Sequence, residues 1–97
     1  MFVAVYSFEV KPGMEDQFRK AWAERTKEII KENGGLGSRL HRNEDQTFVA
    51  YAQWNSRKAW EEAMPNETEA RQKMREATLS SKTVFCLDLL EDLLVNK

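Results

Sequence analysis

Hydrophobic residues alternate with polar ones in some stretches of the chain and recur at three- and four-residue spacing in others. The two periods divide it into strands and helices. Phe2 to Val10 reads Phe-Val-Ala-Val-Tyr-Ser-Phe-Glu-Val, rich in β-branched and aromatic residues, and Pro12-Gly13 closes it with turn chemistry. Both faces of this first strand are apolar, Phe2, Ala4, Tyr6 and Phe8 on one and Val3 and Val5 on the other, as in a central strand covered on two sides. From about Glu15 to Asn33, Phe18, Ala21, Trp22, Ile29 and Ile30 form a helical stripe with charges elsewhere. Glu15 and Asp16 near the start and Lys27 and Lys31 near the end suit the macrodipole, and Asn33-Gly34-Gly35 provides a left-handed stop.

Leu36 to Arg42 and Thr47 to Trp54 read as two strands of a hairpin around Asn43-Glu44-Asp45-Gln46. Ser56 caps a short helix carrying Ala59, Trp60, Ala63 and Met64, which Pro65 ends. Asn66 with Glu69 forms a capping pair for a further helix whose apolar side is Ala70, Met74 and Ala77. Thr83 to Leu90 is the last strand, and Leu93, Leu94 and Val95 keep the tail apolar, as expected of a segment that docks on something.

The order is thus βαββαβ. It predicts an α+β domain of the ferredoxin-like type over residues 1–97, with a four-stranded antiparallel sheet and its helices on one face. The other face would expose apolar side chains from several strands, so a second copy packed sheet to sheet is expected to cover it, closing a homodimer about a two-fold axis.

Composition narrows the classes. At 97 residues the chain has room for one domain, and 41% hydrophobic residues with ten aromatics exclude disorder. Fifteen basic residues nearly cancel sixteen acidic ones, which argues against a nucleic-acid partner and against an anionic membrane surface. No run of eighteen apolar residues and no signal-peptide pattern at Met1 to Val10 occur, so a cytoplasmic protein is expected. Cys86, alone in an apolar run, reads as a small core residue. One histidine, no HExxH and no spaced cysteine pair leave no metal site to expect.

The stretch Gly35-Leu36-Gly37-Ser38-Arg39-Leu40-His41-Arg42-Asn43-Glu44-Asp45, then Phe48-Val49 and Trp54-Asn55-Ser56-Arg57-Lys58-Ala59-Trp60, resembles the antibiotic biosynthesis monooxygenase family, as does Val10-Lys11-Pro12-Gly13. The resemblance implies a dimeric α+β barrel. It also implies one of several roles, since the family includes cofactor-free monooxygenases acting on electron-rich aromatics or quinols, haem-degrading enzymes, and members without assigned activity. On the haem-degrading pattern this chain has Tyr6 for asparagine, Ala63 for tryptophan and Lys73 for histidine, and with the axial ligand gone that role is not expected.

A cofactor-free oxygenase needs an apolar cavity, a base or donor for the substrate anion, and exclusion of water. If Arg42 lies opposite Thr47, His41 shares a face with Phe48, Ala50, Ala52 and Trp54, and Tyr51 takes the other; a slip of one residue reverses this. His41, the only side chain titrating near neutrality unshifted, is the candidate base, or else a strand histidine at the subunit contact. Tyr6 and Tyr51 are candidate donors to a phenolate, or packing residues. Trp54 and Trp60, with Trp22, line a slot for a flat small aromatic ligand or belong to the core. Arg39 binds an anionic substrate group or makes a cross-chain ion pair. The working expectation is a cofactor-independent monooxygenase, against the alternative of a non-catalytic binding or structural homodimer of the same fold.

Two other classes fall away. An RNA-binding module shares the element order, but Gln46-Thr47-Phe48-Val49-Ala50-Tyr51-Ala52 lacks the basic start and glycine of its stacking strand. A tautomerase with an N-terminal proline is excluded by Phe2 after Met1.

Overall fold

A computed structural model describes residues 1–95. The elements follow in the order β1 (Phe2–Val10), α1 (Glu15–Glu32), β2 (Gly35–Arg42), β3 (Phe48–Trp54), α2 (Arg57–Ala63), α3 (Glu69–Glu76) and β4 (Thr78–Asp88). The strands form one antiparallel sheet in the order β2-β3-β1-β4, which is the ferredoxin-like topology.

Period-two patterning decides which side chains the helices cover. Phe2, Ala4, Tyr6 and Phe8 of β1 stand opposite Trp54, Ala52, Ala50 and Phe48 of β3, and this face meets the helices. The core there is divided. One cluster joins Phe2, Ala4, Ala52, Trp54 and Ala63, and the other joins Phe18, Phe48 and Ala77, with Phe18 touching Phe8 and Phe48 at ring separations of 5.0 and 5.5 Å. Two of the buried residues beneath the gap, Ala50 and Ala52, are alanines, and their short side chains leave space between the sheet and α1.

Four expectations need correction. The hairpin slips by one residue: Arg42 pairs with Phe48, not Thr47. The cause is Gln46, which takes the left-handed conformation (φ 73°) after a turn closed by the bond from Gln46 N–H to the Asn43 carbonyl, the three-residue hairpin with a bulge usually made by glycine. The cap of α3 is Thr68, whose hydroxyl accepts from Arg71 N–H, rather than Asn66. The last strand starts five residues early, at Thr78, because an edge strand is held by its ladder to β1 and does not need an apolar face. Cys86 is exposed rather than core, since β4 extends beyond the cover of the helices.

The second sheet face is left partly bare in the single chain: Val3 is buried, but its neighbours on β4 are exposed. Val5 pairs with Phe85 and Val3 with Leu87, and Phe85 and Leu87 are 57% and 44% exposed. Leu89 and Leu90 lie beside Val3 and Tyr51, and Leu93 to Val95 remain exposed. No helix among the described residues is long and apolar enough to cross a membrane.

Candidate functional site

Between the two core clusters lies a cavity of about 370 Å³, in the range of small-molecule sites. Its floor is the helix-side face of β1, β2 and β3, through Tyr6, Phe8, Ser38, Ala50, Ala52 and Trp54. Its roof comes from α1, with Trp22, Arg25 and Ile29, and its rim from α3 and β4.

Tyr6 is the most elaborated polar group in it. Its oxygen accepts a 2.7 Å hydrogen bond from Trp60 Nε1, and its hydroxyl faces Met64 Sδ at 3.8 Å, a weak acceptor. Burial pushes the phenol up to about 12, against the opposing pull of the indole N–H groups of Trp60 and Trp54. Tyr6 is therefore a neutral O–H donor at any physiological pH and not a base. Trp54, 1% exposed, has its Nε1 near this hydroxyl without completing a hydrogen bond, and Ser38 Oγ is likewise buried without a partner. An unpaired buried N–H or O–H costs roughly 1–3 kcal/mol, and both residues belong to the cavity wall.

Arg25 escaped the sequence reading. It is 6% exposed, lies on the apolar stripe of α1 between Ala21 and Ile29, and donates to the Ala63 carbonyl at 3.2 Å. Its nearest carboxylate oxygen, Glu28 Oε1 at 3.7 Å, is taken by the Thr68 hydroxyl at 2.9 Å. Desolvation lowers the Arg25 pKa, and Glu28 opposes that; a guanidinium remains charged throughout. The available signal was the spacing itself, since Phe18, Ala21, Trp22, Arg25 and Ile29 form one i, i+3, i+4 series with a cation in it.

The proposed site residues separate into three groups. Tyr6 and Trp54 line the cavity. Trp60 does not line it, but packs on Phe2 at 5.2 Å and holds the Tyr6 oxygen from behind. Arg39, His41 and Tyr51 pair as Arg39↔Tyr51 and His41↔Val49, which places all three on the bare face, away from the cavity. The face assigned to His41 is thereby corrected; its ring Nδ1 lies 3.2 Å from the Val49 carbonyl, exposed. Lys73 forms an ion pair with Glu69 at 3.2 Å. Among the described residues no group of three or more His, Cys, Asp or Glu is placed to hold a metal ion.

Comparison with known proteins agrees with this architecture. Over 95% of both chains, the structure is similar to SnoaB, a cofactor-independent oxygenase from Streptomyces nogalater, with a TM-score of 0.78 and 19% identity. Rv0793 from Mycobacterium tuberculosis matches with a TM-score of 0.74 and 16% identity over 96% of this chain and 98% of that one. A crystal structure described as an antibiotic biosynthesis monooxygenase matches with a TM-score of 0.73 and 18% identity, over 94% of this chain and all of the other. At such identities these likenesses speak for the fold. No curated protein matches the sequence. The sequence pattern of the antibiotic biosynthesis monooxygenase family matches residues 1–77, which hold β1 through α3 and most of the cavity wall, and the chain therefore belongs to that family.

Proposed function

We propose that the protein is a cofactor-independent monooxygenase that oxidises a small aromatic or quinol-like compound with O2 in the cavity between sheet and helices. What supports this most is the protonated Tyr6 hydroxyl, oriented by Trp60, in a cavity that Trp54 and Ser38 also line. Donors of that kind stabilise a phenolate or enolate more than its neutral parent, so the substrate ionises more readily and its proton leaves to water at the mouth. The electron-rich anion passes one electron to O2, the radical pair joins at carbon, and loss of water leaves a carbonyl. The balance closes without a cofactor: a phenol with a free para carbon plus O2 gives a quinone plus water, both oxygen atoms being reduced by the substrate's four electrons. Tyr6, kept protonated, donates to the anion, and Trp60 fixes its direction.

The same reading includes a homodimer closed over the bare sheet face, with Phe85 and Leu87 at its centre. Arg39, His41 and Tyr51 then serve the subunit contact. Oxygen uptake with a panel of quinols and anthrones tests the activity. Uptake above the spontaneous rate, at one O2 per product and without added metal or cofactor, is expected. Binding of these compounds with no uptake from any of them refutes the enzyme and leaves a binding protein.

A further inference from the structure

The cavity's charge is one-sided. The chain carries sixteen acids and fifteen bases, yet the charged residues lining the cavity are Arg25, Arg71, Arg75 and Lys82, with no carboxylate among them. Arg75 is held by Glu67 through two bonds of 3.3 and 3.0 Å, and Arg71 donates to the Asn66 carbonyl at 2.9 Å. Arg25 differs. It is buried, its one hydrogen bond runs to a carbonyl, and its ion-pair partner Glu28 stands off at 3.7 Å with that oxygen shared with the Thr68 hydroxyl. Arg71 lies near enough to disfavour its charge further. A guanidinium whose carboxylate partner is long and shared keeps donors for a second anion.

We propose that Arg25 is a specificity-determining residue that pairs with a carboxylate carried by the ligand, so that the cavity selects acidic aromatic compounds over neutral ones. A guanidinium and a carboxylate meet through two parallel N–H···O bonds, which orients the ligand as well as holding it. With the acid at Arg25, on α1, the aromatic ring extends between Trp22 and the sheet towards Tyr6 and Trp54. Arg71, Arg75 and Lys82 raise the local concentration of anions at the rim. This rests on the cavity being the ligand site of the proposed oxygenase and adds the class of molecule that enters it.

The test uses calorimetric titration of the whole chain with 2-naphthoate and with 2-naphthamide, which have the same ring system and differ in charge. Naphthoate is expected to bind at least tenfold more tightly, and the ratio of the two affinities is expected to fall to about one in Arg25→Gln. Equal affinities in the native protein overturn the acid pocket while leaving the cavity as a ligand site; absence of binding by both overturns the cavity reading as well. Should Arg25→Gln fail to fold, Arg25→Lys keeps the charge but not the fork. It is expected to retain part of the preference, and full retention of affinity and preference overturns the paired geometry. Oxygen uptake from 1-hydroxy-2-naphthoate against 1-naphthol reads out the chemistry separately: faster uptake from the neutral naphthol counts against the selectivity, and none from either against the oxygenase.

Discussion

Replacing Tyr6 with phenylalanine removes one oxygen and keeps the ring that packs near Phe8 at 6.2 Å. Two consequences follow, of different size. For stability, the lost partner is Trp60 Nε1, whose 2.7 Å bond ends on that oxygen. Trp60 is only half-buried, so water replaces part of the bond and the cost is about 1 kcal/mol, which for a domain of this length lowers Tm by roughly 4–8 °C. For catalysis, the proposed mechanism makes the hydroxyl a donor to the substrate anion, and loss of one such donor is expected to slow turnover by about 10²–10³-fold. The assay is oxygen uptake at saturating substrate, beside a thermal melt. The signature is a large fall in kcat with a small fall in Tm. A variant that loses the few degrees but keeps turnover within about threefold of the native rate would show that Tyr6 merely braces Trp60, and the donor role would be gone.

The raised phenol also links stability to pH. Tyr6 holds its proton to about 12 when folded and to 10.0 when unfolded, so the folded state binds the proton more tightly; stability is intact below pH 10 and falls as pH rises towards 12. Chemical denaturation at pH 9 and pH 11.5 is expected to show a larger loss in the native chain than in Tyr6→Phe, by up to about 2 kcal/mol; equal losses remove the link. Ala50→Leu puts a larger side chain into the cavity floor opposite Tyr6, and is expected to weaken aromatic ligands at least tenfold by titration while the far-ultraviolet dichroism of the fold is kept. Phe85→Glu, at an exposed position of β4, is expected to shift sedimentation at micromolar concentration from dimer to folded single subunit; an unchanged species places the contact elsewhere.

How far the sequence could be read depended on whether a feature was periodic or conformational. The bounds of β1 come out at Phe2–Val10 from composition alone, and Ser56 caps α2 through its bond from Ala59 N–H, as its place before an apolar helical pattern implies. Both are local properties of a few neighbouring residues. The hairpin register is equally local, but it turns on Gln46 adopting a left-handed conformation, which a glutamine does not advertise. That one dihedral moves Arg39 and His41 to the bare face and brings Ser38 and Leu40 to the helix side, where Ser38 joins the cavity. Without that shift His41 would have faced the helix side. With it, the titratable groups lining the cavity are a phenol and cations. The chemistry available is therefore stabilisation of an anion formed on the substrate rather than removal of its proton by a side chain of this subunit. An active site of that kind requires a substrate acidic enough to ionise with help from hydrogen bonds alone, which describes phenols and quinols and not simple hydrocarbons.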